Sequence, residues 1–244
     1  MIMARGASSF GHGTHLSARA MVFPVLASLL AMAAFPARAN EVGRDRYRNP
    51  KDVEAYIRAQ EEPGRAAWQK PEQVLDVLDL RPGQTVCDIG AGPGYFALRA
   101  ARRVGQAGRV FAVDVDPRIL DALRARIEKA QLENVTPVLG LGTDPLLPPL
   151  SCDVVLIIDV YHHFPERPAY LQRLVGLLRA GGRLVAIDWQ KGKTPIGPPA
   201  EHRVSREEFL GDAAKAGLHF VNEPTLLLPN QYFVIMALTD PKRP

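Results

Sequence analysis

The chain of 244 residues has little of several things, and each shortage narrows what it can be. It has two cysteines, Cys87 and Cys152, too few for a disulfide framework or a cysteine-rich metal module. Each lies beside a stretch that reads as a core strand, so both are expected as buried free thiols. A disulfide follows only if the two strands are neighbours. Lysine and arginine form no long stripe in the body, which argues against a broad phosphate-binding surface and a nucleic-acid partner. Three of the 30 Lys and Arg residues, and none of the 26 Asp and Glu, fall in residues 1–39. The formal charge of +4 therefore belongs mostly to the leader. No internal repeat is found, and no His or Cys spacing completes a metal site.

What is present begins with that leader. Arg5 and Arg19 precede an uncharged, mostly apolar run over residues 21–35. Pro36-Ala37-Arg38-Ala39 follows, with small side chains at the two positions that signal peptidase reads. Residues 1–39 thus read as a secretory signal peptide cut before Asn40, giving a periplasmic or secreted protein. The alternative is an uncut anchor or a cytoplasmic chain, since residues 20–37 are uncharged but Pro24 weakens a spanning helix. Membrane contact is expected through the leader alone. Residues 40–70 form a polar extension and possible lid, with Tyr47, Tyr56 and Trp68 as anchors and one helix over 51–60. Residues 71–244 form the main domain, and a small-molecule partner is expected for it.

From Pro71 onwards strands and helices alternate. Short apolar runs at 85–88, 109–114, 135–139, 153–159 and 183–188 read as strands. Helices are expected over 95–104, 117–130, 167–179 and 205–216, the last opened by a Ser205/Glu208 capping box. Two strand-like runs close the chain, 219–228 and 231–238, with no helix between them. They must form a hairpin, so one strand runs antiparallel. The fold class is α/β, a doubly wound, mostly parallel sheet with a C-terminal antiparallel hairpin.

Chemistry concentrates in Asp88-Ile89-Gly90-Ala91-Gly92-Pro93-Gly94-Tyr95-Phe96, between the first strand and its helix. Glycines there let the backbone bend and a ligand approach closely, and the helix start offers free amides. A nicotinamide loop would need glycine, or alanine in a variant, at fixed offsets. Counted from Gly90, the third glycine position is Tyr95. Counted from Gly92 it is Ala97, which shifts the loop two residues off the strand. Asp88 would moreover face a diphosphate, whereas a carboxylate suits a ligand carrying an ammonium and a sulfonium.

The stretch Val86-Cys87-Asp88-Ile89-Gly90-Ala91-Gly92-Pro93-Gly94 resembles motif I of class I S-adenosylmethionine-dependent methyltransferases, and the similarity runs from about Pro71 to Leu238. The resemblance implies that family's seven-stranded, Rossmann-like sheet with its last two strands exchanged in order, and S-adenosylmethionine as cofactor. It implies cofactor contacts at Asp88, Gly90, Ala91, Gly92, Gly94 and Asp159. Asp114, ending the second strand, would accept the ribose hydroxyls, with Asp116 as the near alternative. Asp144 resembles the residue beside the adenine amino group; a turn-forming Asp before proline is the other reading. Asp159, His162 and His163 lie beyond the fourth strand and are the candidate catalytic groups, either histidine serving as general base. Asp188-Trp189 ends the fifth strand and lines the acceptor pocket or forms a turn. Nothing in the sequence assigns the acceptor.

Overall fold

The computed structural model describes residues 50–224 and 227–238, and the leader lies outside them. The elements in order are α1 (Val53–Gln60), α2 (Arg65–Gln69), α3 (Pro71–Leu78), β1 (Thr85–Ile89), α4 (Ala97–Val104), β2 (Arg109–Asp114), α5 (Pro117–Lys129) and β3 (Val135–Leu139). They continue with β4 (Cys152–Ile158), α6 (Arg167–Leu177), β5 (Leu178–Trp189), α7 (Arg206–Lys215), β6 (Leu218–Asn222) and β7 (Gln231–Leu238). The seven strands form one sheet in the order β3-β2-β1-β4-β5-β7-β6. All neighbours are parallel except the pairs of β7 with β5 and with β6.

Alternation of side chains along the strands builds two cores. Val86, Val110, Leu156, Val185 and Phe233 face α3, α4 and α5. Ile89, Val155, Leu184 and Val234 face α6 and α7. Because both faces are covered, the central strands read as unbroken apolar runs rather than alternating ones. The capping box of α7 is present, with Ser205 accepting from the Glu208 amide and Glu208 from the Ser205 amide. Among the described residues no helix is long and apolar enough to cross a membrane.

Three expectations need correction. Helix α6 ends at Leu177 and not at Arg179, because Leu178 already pairs with Cys152 as the first residue of β5. Strand β6 stops at Asn222, with a register shift against β7 after Phe220. The cysteines are not free thiols. β1 and β4 are neighbours, which brings the Cα atoms of Cys87 and Cys152 to 5.9 Å, and the two form a fully buried disulfide. Spacing along the chain carried no such information, since pairing of β1 with β4 skips two intervening strands.

Candidate active site

The carboxyl ends of β1, β2 and β4 lie side by side and present their following loops to one cavity. Open parallel sheets bind ligands at this edge, where the strand order reverses. The reversal here falls between β1 and β4. A cavity of about 220 Å³ is walled by Gly90, Asp114, Leu141, Gly142, Asp159 and Val160 among others. It continues into a narrow cleft lined by Asp88, Gly92, Arg65 and Tyr95.

The glycine loop is shaped partly by packing. A Cβ on Gly90 would come within 2.4 Å of Val160 Cγ2, and one on Gly94 within 2.5 Å of Leu123 Cδ1. Gly92 differs, for its Cβ position meets only the Tyr56 hydroxyl at 3.7 Å, and its φ is +56°. Packing therefore excludes side chains at Gly90 and Gly94, while Gly92 keeps space open beside the cleft.

Three carboxylates, two buried and the third 18% exposed, converge here. Asp114 accepts from the amides of Gly92 (2.9 Å) and Asp116 (3.0 Å), which fixes it against the loop. Burial nevertheless raises its pKa. Asp88 is 3% exposed, and burial, then the charge of Asp114, push its pKa up to about 7. Asp159 has a left-handed backbone (φ +56°) and a pKa raised to about 6, by burial and then by Asp188. Asp116 instead caps α5 and binds Arg118, whose hydrogen bond lowers its pKa.

The extension, read from sequence as a possible lid anchored by Tyr56 and Trp68, also supplies Gln69 and Arg65, which motif reading did not find. Gln69 donates to Asp159 Oδ2 at 2.7 Å, and Gln231 from β7 donates to Oδ1. Arg65 approaches the same carboxylate at 3.6 Å and lies over the Tyr95 ring, its guanidinium carbon 4.0 Å from the centroid. Trp68 packs on Trp189, with ring centroids 5.1 Å apart. Tyr56 covers the cavity, its phenol raised to about 12 by burial and so protonated. An inward-facing glutamine on an otherwise apolar strand was the one sequence signal for Gln231. Arg65 had none, because its partners are distant along the chain.

Asp144 stands apart from the cavity lining, accepting from the Leu146 amide and pairing with Arg173 at 2.8 Å. The wall at that point is made by Leu141 and Gly142. His162 and His163 follow β4 in a single 3-10 turn (Tyr161–His163), their rings 4.1 Å apart. His162 turns to Asp188, with Nδ1 2.8 Å from Oδ1. Burial draws the His162 pKa down, but the bond and charge of Asp188 outweigh it and the net shift is upward. His163 lines the cavity of about 220 Å³, and its pKa is drawn down by desolvation and then by His162. Among the described residues no cluster of His, Cys, Asp and Glu suits a metal ion.

Residues 86–182 match the family model of a methyltransferase domain. A solved S-adenosylmethionine-dependent methyltransferase from Aquifex aeolicus superposes with a TM-score of 0.72 at 26% identity, covering 77% of this chain and 98% of its own. The fold is that of the class I methyltransferases. Nocamycin O-methyltransferase of Saccharothrix syringae is 36% identical over 129 residues, 52% of this chain and 44% of the relative. Protein-L-isoaspartate O-methyltransferase of Methanothrix thermoacetophila is 36% identical over 112 residues, 46% and 50% of the two chains. The chain thus spans about half or less of these curated relatives, and the family model's residues 86–182 include the glycine loop.

Proposed function

We propose that this protein is an S-adenosylmethionine-dependent methyltransferase acting on a small molecule. The observation that carries the reading is the convergence of Asp88, Asp114 and Asp159, all with raised pKa values, on one cavity beside the open Gly92. Crowded, poorly hydrated carboxylates suit a ligand that brings positive charge and hydroxyl donors. Bound S-adenosylmethionine would supply a methyl group already activated by its sulfonium. Asp114 keeps lone pairs for ribose hydroxyls beyond the two it uses on backbone amides. Arg65 is the cation that a carboxylate at the far end of such a ligand would meet. Asp144 reaches an adenine only if its pair with Arg173 opens, so Leu141 and Gly142 are the better candidates for that wall.

A nicotinamide cofactor is not favoured, because Asp88 would oppose its diphosphate and the sheet ends in an antiparallel hairpin. The two named relatives act on unlike acceptors, which supports methyl transfer without assigning a target. For the setting, we infer export with cleavage before Asn40. The buried disulfide supports it, as such bonds persist in oxidising compartments.

Calorimetry tests the cofactor. S-adenosylmethionine should bind the wild type, and Gly92→Val should weaken it by about tenfold or more, since a branched side chain would both strain φ and fill the cleft. No heat with the wild type at millimolar ligand would overturn the reading. Labelled-methyl transfer into a cell extract separates a working enzyme from a cofactor-binding protein.

A further inference from the structure

We propose that His162, oriented by Asp188, is the general base for a phenolic or enolic hydroxyl acceptor held in the second, larger cavity of the site. This rests on the methyltransferase reading above. The cavity, of about 850 Å³, lies at the carboxyl ends of β4 and β5. His163 and Phe164 line both it and the donor cavity, so the two spaces share a wall.

Asp188 is fully buried and accepts three hydrogen bonds: from the His162 amide (3.1 Å), the Trp189 amide (2.7 Å) and His162 Nδ1 (2.8 Å). These bonds engage both of its oxygens and fix the ring. A proton on Nδ1, assigned from this bonding, leaves the lone pair on Nε2. The Nδ1 edge is turned to Asp188 while the ring lines the cavity, so Nε2 is the edge left for the acceptor. The other candidates are less free. Both oxygens of Asp159 are held by glutamine amides, and His163 is a weaker base.

The chemistry of the walls selects the acceptor class. A carboxylate acceptor is already ionised and needs no base. An alkyl alcohol is a far weaker acid than a phenol and would leave an imidazole a much harder proton to take. A phenol or enol, near the value of about 10 for tyrosine, falls within reach. Arg167, Lys191 and Arg203 line the same cavity and disfavour an ammonium there. Arg203 is bonded to the carbonyls of Pro198, Gln190 and Gly192 and, among the described residues, pairs with no carboxylate. Of the two glutamates present, Glu208 is occupied by the Ser205 amide and Lys191. These cations would also stabilise the oxyanion as it forms. In the step, the acceptor O–H proton passes to His162 Nε2 and its oxygen pair forms the new O–CH3 bond. The S–CH3 pair stays on sulfur, which turns from sulfonium to thioether.

The test uses 4-nitrophenol as a coloured probe of proton transfer, with the full chain at a pH below the probe's own pKa. Binding to the wild type should produce the phenolate absorbance. His162→Gln should abolish it, Asp188→Asn should diminish it and move its apparent pKa, and His219→Gln on the edge strand should leave it intact. S-adenosylmethionine binding by calorimetry, run on each variant, reports folding of the donor site. A phenolate band absent from the wild type, or surviving His162→Gln, would overturn the assignment even where the cofactor binds. Loss of cofactor binding in the wild type instead overturns the methyltransferase reading on which it stands.

Discussion

At the scale of single residues, burial at the carboxyl edge of the sheet favours protonated acids. Asp88 and Asp159 have folded-state pKa values of about 7 and about 6, above the 3.8 of a free side chain. A raised acid pKa means that the folded state binds more protons than the unfolded one between those values. Stability from these groups therefore falls as pH rises from about 4 to about 7, then levels off. Asp88→Asn removes one of the two charges. The variant should lose much less stability over that window in denaturant titrations, while binding S-adenosylmethionine more weakly. A slope equal to that of the wild type would show that Asp88 is not the group responsible. Gly90 makes a second residue-level case. Gly90→Ala places a methyl within 2.4 Å of Val160 at a φ of +75°, and both effects oppose folding. We expect a loss of about 1–3 kcal/mol by thermal or chemical unfolding. Val160→Ala should recover part of it by giving the methyl room.

At the scale of elements, two devices tie the site together. The Cys87–Cys152 disulfide staples β1 to β4, whose carboxyl ends carry Asp88 and Asp159, and its loop spans 65 residues. Constraining a loop of that size in the unfolded chain contributes about 2–4 kcal/mol. Unfolding with and without reductant should differ by that amount, and equal midpoints would refute the staple. The second device is the extension. Helix α2 reaches the sheet edge through Gln69 on Asp159 and Trp68 on Trp189, while Tyr56 of α1 lines the cavity over β1 and β2. A short helix of five residues has little stability of its own and depends on those contacts.

At the scale of the whole molecule, the two cavities differ in the charge that lines them. One stands over β1 and β2, where acids gather, and the other over β4 and β5, where histidines and cations gather. The fold makes this division because parallel strands deliver all their carboxyl ends to one edge. The inferred export has a direct check. N-terminal sequencing of the exported chain should begin at Asn40, whereas Met1 at the terminus would restore the anchor or cytoplasmic alternative.

Much of this was legible along the chain. The strand–helix alternation, the closing hairpin, the Ser205 cap and the glycine loop are local patterns, set by side-chain periodicity and by where a backbone must bend. Residues 109–114 and 135–139 read as strands and are β2 and β3 with those bounds. Local pattern also marked Asp88, Asp114, Asp159 and the histidine pair as candidates. What it could not reach was anything decided by which strands lie side by side. The disulfide exists because β1 and β4 are neighbours, and Asp188 meets His162 because the ends of β4 and β5 are. Gln69, from helix α2 in the extension, and Gln231, from the last strand, meet on one carboxylate only in the assembled edge. Sequence alone determined the order of most elements and the glycine loop, since those depend on short-range sterics and hydrogen bonding. Tertiary structure alone decided which acids are clamped and which histidine is oriented, since burial and partners are properties of the assembled sheet edge.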